Sequence, residues 1–230
     1  MEAARHRHFK NQLYAQFAEI GKALASPHRF ELLELLAQGP RTVEALSKET
    51  ELSIANASQH LQVLRQAGVV ENRRQGLFVE YRLAGPEVFE LCKALRGVAE
   101  KRHAELDRLV REHFGDRSNP EPVGMAELLS RARDPRVVIL DTRPACEFAA
   151  GHIPGAISCP IDLIQNRLRQ LPKSKEYVAY CRGPYCIYAD RAVEWLRARG
   201  RRARRMVDGF PEWKAAGLPV EQDEQQRRYT

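Results

Sequence analysis

The sequence predicts two domains of different class, a mainly α-helical one followed by an α/β one built on a mainly parallel sheet. Three observations carry this. Residues 24–83 read as short helical patterns that close in two alternating runs around Gln75-Gly76. Residues 137–220 read as apolar runs alternating with helical patterns, the order that yields parallel sheets. Between them, Gly115-Asp116-Arg117-Ser118-Asn119-Pro120-Glu121-Pro122 ends a long helical pattern with a glycine and two prolines. The first domain is therefore set at 1–116, a linker at 117–122 and the second domain at 123–230, within a length ample for two cores.

Composition narrows the classes. No run of about 18 apolar residues exists, so no membrane span is expected. Residues 1–10 are polar and lack a signal peptide's apolar stretch, so a cytoplasmic location is expected. The five cysteines, Cys92, Cys146, Cys159, Cys181 and Cys186, are odd in number and argue against a disulfide scaffold. The net charge is +7, and most of the excess lies in the second half. Arg197, Arg199, Arg201, Arg202, Arg204 and Arg205 flank a helix end, where cations suit the dipole and form a solvated face. Charge alone would put nucleic-acid binding in the wrong half.

In the first domain, Ser26 caps a helix with Pro27 at its first position and Phe30, Leu32, Leu33, Leu35 and Leu36 along it. Gly39-Pro40 ends it. Thr42 caps a short helix through Val43, Ala45 and Leu46. Ser53 caps a longer one carrying Ala57, His60, Leu61 and Leu64, stopped by Gly68. Two helices joined by a short turn form a helix-turn-helix, and runs at 69–74 and 77–83 form a hairpin, the wing. The second helix of such a pair enters the DNA major groove. Its outward residues are Asn56, Ser58, Gln59 and Gln62, of which Asn and Gln match adenine edges and Ser reaches bases or phosphates. Arg73, Arg74 and Gln75 at the wing tip face phosphate or the minor groove. Residues 86–114 read as one long helix, with Val88, Leu91, Cys92, Leu95, Val98, Ala99, Leu106, Leu109, Val110 and Phe114 in an apolar stripe. That stripe and the helix at 9–24 are expected to build a dimer interface.

This half resembles the ArsR family of winged-helix repressors. The resemblance rests on Leu24-Ala25-Ser26-Pro27-His28-Arg29-Phe30-Glu31-Leu32-Leu33 and on Ser58-Gln59-His60-Leu61-Gln62-Val63-Leu64-Arg65-Gln66-Ala67-Gly68-Val69-Val70. It implies a homodimer on double-stranded DNA, at an inverted repeat, that leaves its operator when an inducer binds. His60 in this motif fixes helix geometry or touches backbone phosphate. The sensors that the resemblance would imply are missing. Thr42-Val43-Glu44-Ala45-Leu46-Ser47-Lys48 lacks the cysteine pair that binds metal in many members. His103 has Lys101 where a second ligand site would need Asp, and His113 is one position short. Cys92 is the single cysteine of the winged helix, so a disulfide within that domain is impossible, and it reads as a buried thiol. No metal and no cofactor are expected.

The second domain carries a reactive thiol. Val137-Val138-Ile139-Leu140 reads as a buried strand ending at Asp141-Thr142-Arg143, with a helix at 161–171, a strand at 177–180 and another at 203–207. Cys181 follows the 177–180 strand and precedes Ala189, Ala192, Val193 and Leu196 at helical spacing. Loops at the carboxyl ends of parallel strands hold ligands, and the following helix start favours a thiolate there.

The pattern resembles single-domain rhodaneses, through Asp141-Thr142-Arg143, Glu147-Phe148, Gly151-His152-Ile153-Pro154-Gly155-Ala156, Cys181-Arg182-Gly183, Asp208-Gly209-Phe210-Pro211-Glu212-Trp213 and the end at Gly217-Leu218-Pro219-Val220. The resemblance implies that Cys181 accepts a sulfane sulfur from a donor, and that Arg182 attracts an anionic donor such as thiosulfate. Asp141 and Arg143 are expected to pair as scaffold, and His152 to be packed. Phosphatases of related fold need an arginine six positions after the cysteine, where this chain has Ile187. Cys186 either attacks a Cys181 persulfide, releasing sulfide and closing a disulfide, or packs beneath the loop.

The expected function is therefore a sulfur-responsive transcriptional repressor with the thiols as its sensor. The alternatives are a sulfurtransferase enzyme with an accessory winged-helix dimerisation domain and, behind it, an arsenic-responsive regulator.

Overall fold

The structure, a computed structural model, describes residues 1–76, 78–115, 117 and 121–222, without the side chains of Gln75, Leu168, Arg169 and Gln170. It divides into two compact units, Met1–Leu95 and Arg96–Thr230. The division falls inside a helix, ahead of the proline-rich segment.

The first unit runs α1 (Glu2–Leu24), α2 (Pro27–Ala37), β1 (Arg41–Thr42), α3 (Val43–Thr50), α4 (Ile54–Gln66), β2 (Val70–Gln75), β3 (Phe78–Leu83) and the start of α5 (Pro86–Arg102). Two caps match the sequence reading: Thr42 Oγ1 accepts from the Ala45 N–H at 3.3 Å and Ser53 Oγ from the Asn56 N–H at 3.2 Å. Gly68 ends α4 at φ 71°, letting the N–H groups of Gly68 and Val69 reach the Arg65 and Leu64 carbonyls at 3.0 and 3.1 Å. Leu32, Leu33 and Leu36 of α2, Leu46 of α3 and Ala57, Leu61 and Leu64 of α4 meet Val70, Tyr81, Val88 and Cys92 in one core. Ala57, Leu61 and Leu64 are spaced so that one face of α4 is buried and the opposite face is open.

The wing has strand order β1-β3-β2, all antiparallel. Gln75 pairs with Phe78, so the turn lies one residue later than the sequence suggests. Leu77, assigned to the second strand from sequence, lies outside the described residues. Strand β1 was not legible. Arg41 pairs with Tyr81 across it while its buried guanidinium bonds Glu49 of α3.

The second unit holds the end of α5, then α6 (Ala104–Phe114), α7 (Met125–Arg131), β4 (Val137–Asp141), α8 (Ala145–Ala150), β5 (Ile157–Ser158), a 3-10 turn (Ile161–Leu163), α9 (Ile164–Gln170), β6 (Glu176–Tyr180), α10 (Ile187–Arg197), β7 (Arg202–Arg205) and α11 (Phe210–Ala215). The single long helix expected over 86–114 is corrected to α5 and α6, broken at His103, whose backbone is extended at φ −115° and ψ 99°. Charge explains the break. Lys101 and Arg102 suit a helix end, and Glu105 and Asp107 suit a helix start.

The sheet is parallel throughout, in the order β5-β4-β6-β7. Strand alternation sends Leu140, Tyr177 and Ala179 to one face, against Ile164, Ala189, Ala192, Val193 and Leu196. It sends Ile139, Val178 and Tyr180 to the other, against Leu128, Phe210 and Trp213. Both faces are covered, which is why β6 reads as a continuous apolar run.

Candidate functional site

Cys181 leaves β6 on the same face as Tyr177 and Ala179 and is 2% exposed. Cys186 stands at the N-cap of α10. The two are joined as a disulfide across a Cα separation of 6.2 Å, within the span such bonds bridge. The Cys186 N–H donates to the Gly183 carbonyl at 3.2 Å and curls the loop between them.

The loop rests on the start of α11. The Phe210 N–H donates to the Cys181 carbonyl at 3.0 Å. Gly209 lies so close that a Cβ there would stand 2.3 Å from the Gly183 nitrogen. Glu212, 1% exposed, accepts from the Gly209 N–H at 3.0 Å and from Arg96 Nη2 at 2.7 Å.

Charged partners ring the loop. Arg182 donates through Nε at 2.9 Å and Nη2 at 2.5 Å to one oxygen of Glu147, a carboxylate 2% exposed. Arg117 donates to the Pro184 carbonyl at 2.6 Å and to both oxygens of Asp190 at 3.1 and 2.6 Å. Arg205 approaches the same Asp190 at 3.5 Å. The Tyr185 hydroxyl donates to Glu100 Oε1 at 2.6 Å, and burial together with that carboxylate pushes its phenol up, so it stays a donor. Arg182 is thus already engaged by a carboxylate.

Asp141 and Arg143 are fully buried and pair with each other at 2.6 Å. Arg143 also donates to the Gly151 carbonyl at 2.7 Å and lies 4.1 Å over the Phe210 ring. The Tyr180 hydroxyl donates to Asp141 Oδ2 at 2.5 Å, and burial followed by the Asp141 charge holds that phenol well above the usual tyrosine range. These groups tie strand ends together and present nothing to solvent. His152 stacks on Phe148 at 3.7 Å, with Nδ1 2.9 Å from the Phe148 carbonyl. Of the remaining cysteines, Cys146 is exposed and Cys92 and Cys159 are buried; burial pushes the Cys159 thiol up to about 11. Among the described residues no group of three His, Cys, Asp or Glu gathers that could hold a metal ion.

In the first unit, α4 turns Gln59 and Gln62 to the middle of its open face, with Ser58 on one flank and Asn56 and His60 on the other, by about 100° per residue. Asn56, Gln59 and Gln62 are exposed; Ser58 and His60 are half-buried. The His60 ring lies 5.6 Å from that of His28, and burial, then the charges of Arg29 and His28, lower its pKa. Arg29 donates to the Ala23 and Lys22 carbonyls and fixes the end of α1. Arg73 and Arg74 are exposed on β2; the Gln75 side chain lies outside the described ones.

The sequence located both cysteines and Arg182 but not the roles of Glu147, Arg117, Asp190, Glu100 and Arg96. Glu147, Gly209 and Glu212 stood inside the matched motifs, a usable signal. Arg117 fell in the presumed linker and carried none.

No described helix is long and apolar enough to cross a membrane. Residues 24–73 match the helix-turn-helix domain family and residues 125–216 the rhodanese-like domain family. The HTH-type transcriptional regulator Rv0324 of Mycobacterium tuberculosis is 42% identical over 213 residues, 93% of this chain and 93% of its own. A sulfurtransferase of Allochromatium vinosum is 34% identical over 36% of this chain and 78% of its own length. The solution structure of the homodimeric winged helix-turn-helix domain of Mb0332 from Mycobacterium bovis, described as a possible ArsR-family regulator, is 42% identical. It covers 42% of this chain and 89% of that one, at a TM-score of 0.40.

Proposed function

The chain belongs to the ArsR-like helix-turn-helix transcriptional regulators that carry a rhodanese-like domain, and on that premise we propose that it is a dimeric repressor released from DNA when sulfane sulfur oxidises Cys181 and Cys186. The observation that carries this reading is the Cys181–Cys186 pair, close enough to bond, at the two ends of one curled loop. A lone sulfur carrier needs only the first cysteine.

The chemistry balances. The Cys181 thiolate attacks the outer sulfur of a persulfide or polysulfide, and the shortened donor leaves as a thiolate. Cys186 then attacks the Cys181 sulfur, hydrosulfide departs and the disulfide closes. The two cysteines lose two electrons, which the sulfane sulfur takes as sulfide.

On the DNA side, α4 enters the major groove with Asn56, Ser58, Gln59, His60 and Gln62, while Arg73, Arg74 and Gln75 meet phosphate or the minor groove. Phe9, Leu13, Tyr14 and Phe17 along α1 and Leu91, Leu95 and Val98 along α5 are exposed in the single chain, with Phe17 at 60% and Val98 at 62%. A second copy covering them supplies the second recognition helix for an inverted repeat.

The test is operator affinity with and without a sulfane-sulfur donor, for wild type, Cys181→Ser and Cys186→Ser, on DNA selected by the protein from a random pool. Release of wild type, reversed by dithiothreitol and absent in both variants, supports the dithiol switch. Equal release of wild type and Cys186→Ser leaves the Cys181 persulfide as the signal. Unchanged affinity throughout, with turnover of sulfur to an acceptor, supports the enzyme reading, which the likeness to a sulfurtransferase favours.

A further inference from the structure

The carboxylates around the loop bear on which donor it takes. Thiosulfate is a dianion, and a half-buried site receives a dianion only where unneutralised cations replace its water. Four arginines of the second unit stand on or beside the loop, and each shares a carboxylate. Arg182 bonds Glu147, Arg96 bonds Glu212, and Arg117 and Arg205 both meet Asp190. Glu100 adds a further negative charge at Tyr185 and also lies 3.8 Å from Arg96. Four cations thus face these four carboxylates, with Asp208 acting on Arg205 and Asp107 on Tyr185 as further negative charges, so the ring around the thiols carries no positive excess. The Arg182 guanidinium is held by the most closely bound of these carboxylates, one nearly withdrawn from solvent.

We propose that the sulfur donor is a hydropersulfide of a small thiol rather than thiosulfate, and that Glu147 sets this preference by neutralising Arg182. The proposal rests on the sulfur-sensing reading above. The transfer is the simpler of the two. The Cys181 thiolate attacks the terminal sulfur of R–S–SH, the inner S–S bond breaks, R–S⁻ leaves and the proton stays on the transferred sulfur. No dianion enters the loop and no sulfite has to leave it. Glu147 touches neither sulfur in this scheme; it is a positioning residue acting through Arg182.

The experiment follows sulfur loading on full-length, reduced Cys186→Ser, where the Cys181 persulfide cannot be resolved. Cysteine persulfide and thiosulfate are supplied at equal concentration and the added sulfur is read by intact mass and peptide mapping. Cysteine persulfide is expected to load Cys181 about tenfold faster or more, and thiosulfate loading not to fall with salt, because a site without excess positive charge attracts no anion. Adding Glu147→Gln should raise the thiosulfate rate relative to the persulfide rate by about tenfold and make it fall with salt, a signature that a merely structural role would not produce. Asp190→Asn, which releases Arg117 and Arg205, gives the same readout should Glu147→Gln fail to fold. Equal loading by the two donors, or a rate ratio unmoved in both variants, overturns the proposal. Preferential persulfide loading of the variant, with no operator release when wild type meets the same donor, sustains it and removes the sensing reading instead. Thiosulfate loading of the variant at least as fast as persulfide loading, with operator release of wild type by thiosulfate, has the opposite result, and no loading of Cys181 by either donor removes both.

Discussion

A methyl group added at Gly209 would press on the Gly183 nitrogen at 2.3 Å and the Arg182 carbonyl carbon at 2.4 Å, both backbone atoms that cannot swing aside. The Gly209 backbone itself, at φ −110° and ψ −174°, suits any residue, so contact alone demands glycine here. Gly209→Ala should therefore destabilise the second unit by about 1–3 kcal/mol, the usual effect of overpacking, and displace the thiol loop. Denaturant unfolding together with the rate of Cys181 loading checks this; unchanged values for both would mean that α11 yields instead. His60 offers a second test at this scale. Its folded pKa lies below the ordinary histidine value of about 6.5, chiefly through burial. The unfolded chain then binds more protons just below that value, so the His60 contribution to stability is present above about pH 6.5 and lost as pH falls through the folded pKa. NMR titration should place the His60 midpoint below 6.5, and His60→Gln should flatten the acid side of the stability curve. The two thiols were legible as residues because their chemistry is rare. The roles of Glu147 and Asp190 were not, although Glu147 stood in a matched motif, since a carboxylate's partner is chosen by the fold and not by its neighbours in sequence.

Helix α4 was readable from its parts. Ser53 caps it, Gly68 closes it, and Ala57, Leu61 and Leu64 fix which face is buried. The remaining face is then given by the 3.6-residue period, and Gln59 sits at its centre. Gln59→Ala is expected to weaken operator binding by about 1–3 kcal/mol, with a smaller effect on random DNA, as for a side chain bonded to a base edge. Equal loss on both, measured by titration at one salt concentration, would assign Gln59 to phosphate. Elements defined by distant pairing were harder to read. β1 and β5 are two residues each, too short for any periodicity, and exist because β3 and β4 offer them edges. The split between α5 and α6 was hidden for another reason. The apolar stripe continues through His103, so hydrophobic spacing shows one helix, while the charges of Lys101, Arg102, Glu105 and Asp107 mark two ends.

At the scale of the molecule, α5 is the element that both units share by sequence. Its first turns place Val88 and Cys92 in the core of the first unit, and its last turns carry Arg96 and Glu100 in the second. The sequence could show that two domains of known kind are joined, because each has local motifs. It could not show what a thiol loop at 181–186 has to do with a helix at 86–102, because only folding brings Tyr185 to Glu100. On the proposed sulfur-sensing reading, if the Cys181–Cys186 bond fixes where Tyr185 sits, the hydrogen bond to Glu100 is a route by which the redox state would reach α5. A useful loss of operator affinity needs a coupling of only about 1–3 kcal/mol, and a hydrogen bond to a charged carboxylate is of that order. Glu100→Ala is therefore expected to leave Cys181–Cys186 oxidation by sulfane sulfur intact, as read by thiol counting, and to leave the operator affinity of the reduced protein near that of wild type. It should narrow the gap in affinity between reduced and oxidised protein severalfold, and Tyr185→Phe should do the same, with little further effect when the two are combined. Full release of the oxidised double variant would show that the signal leaves the loop by another route, for which the Glu212 bond to Arg96 is the next to cut.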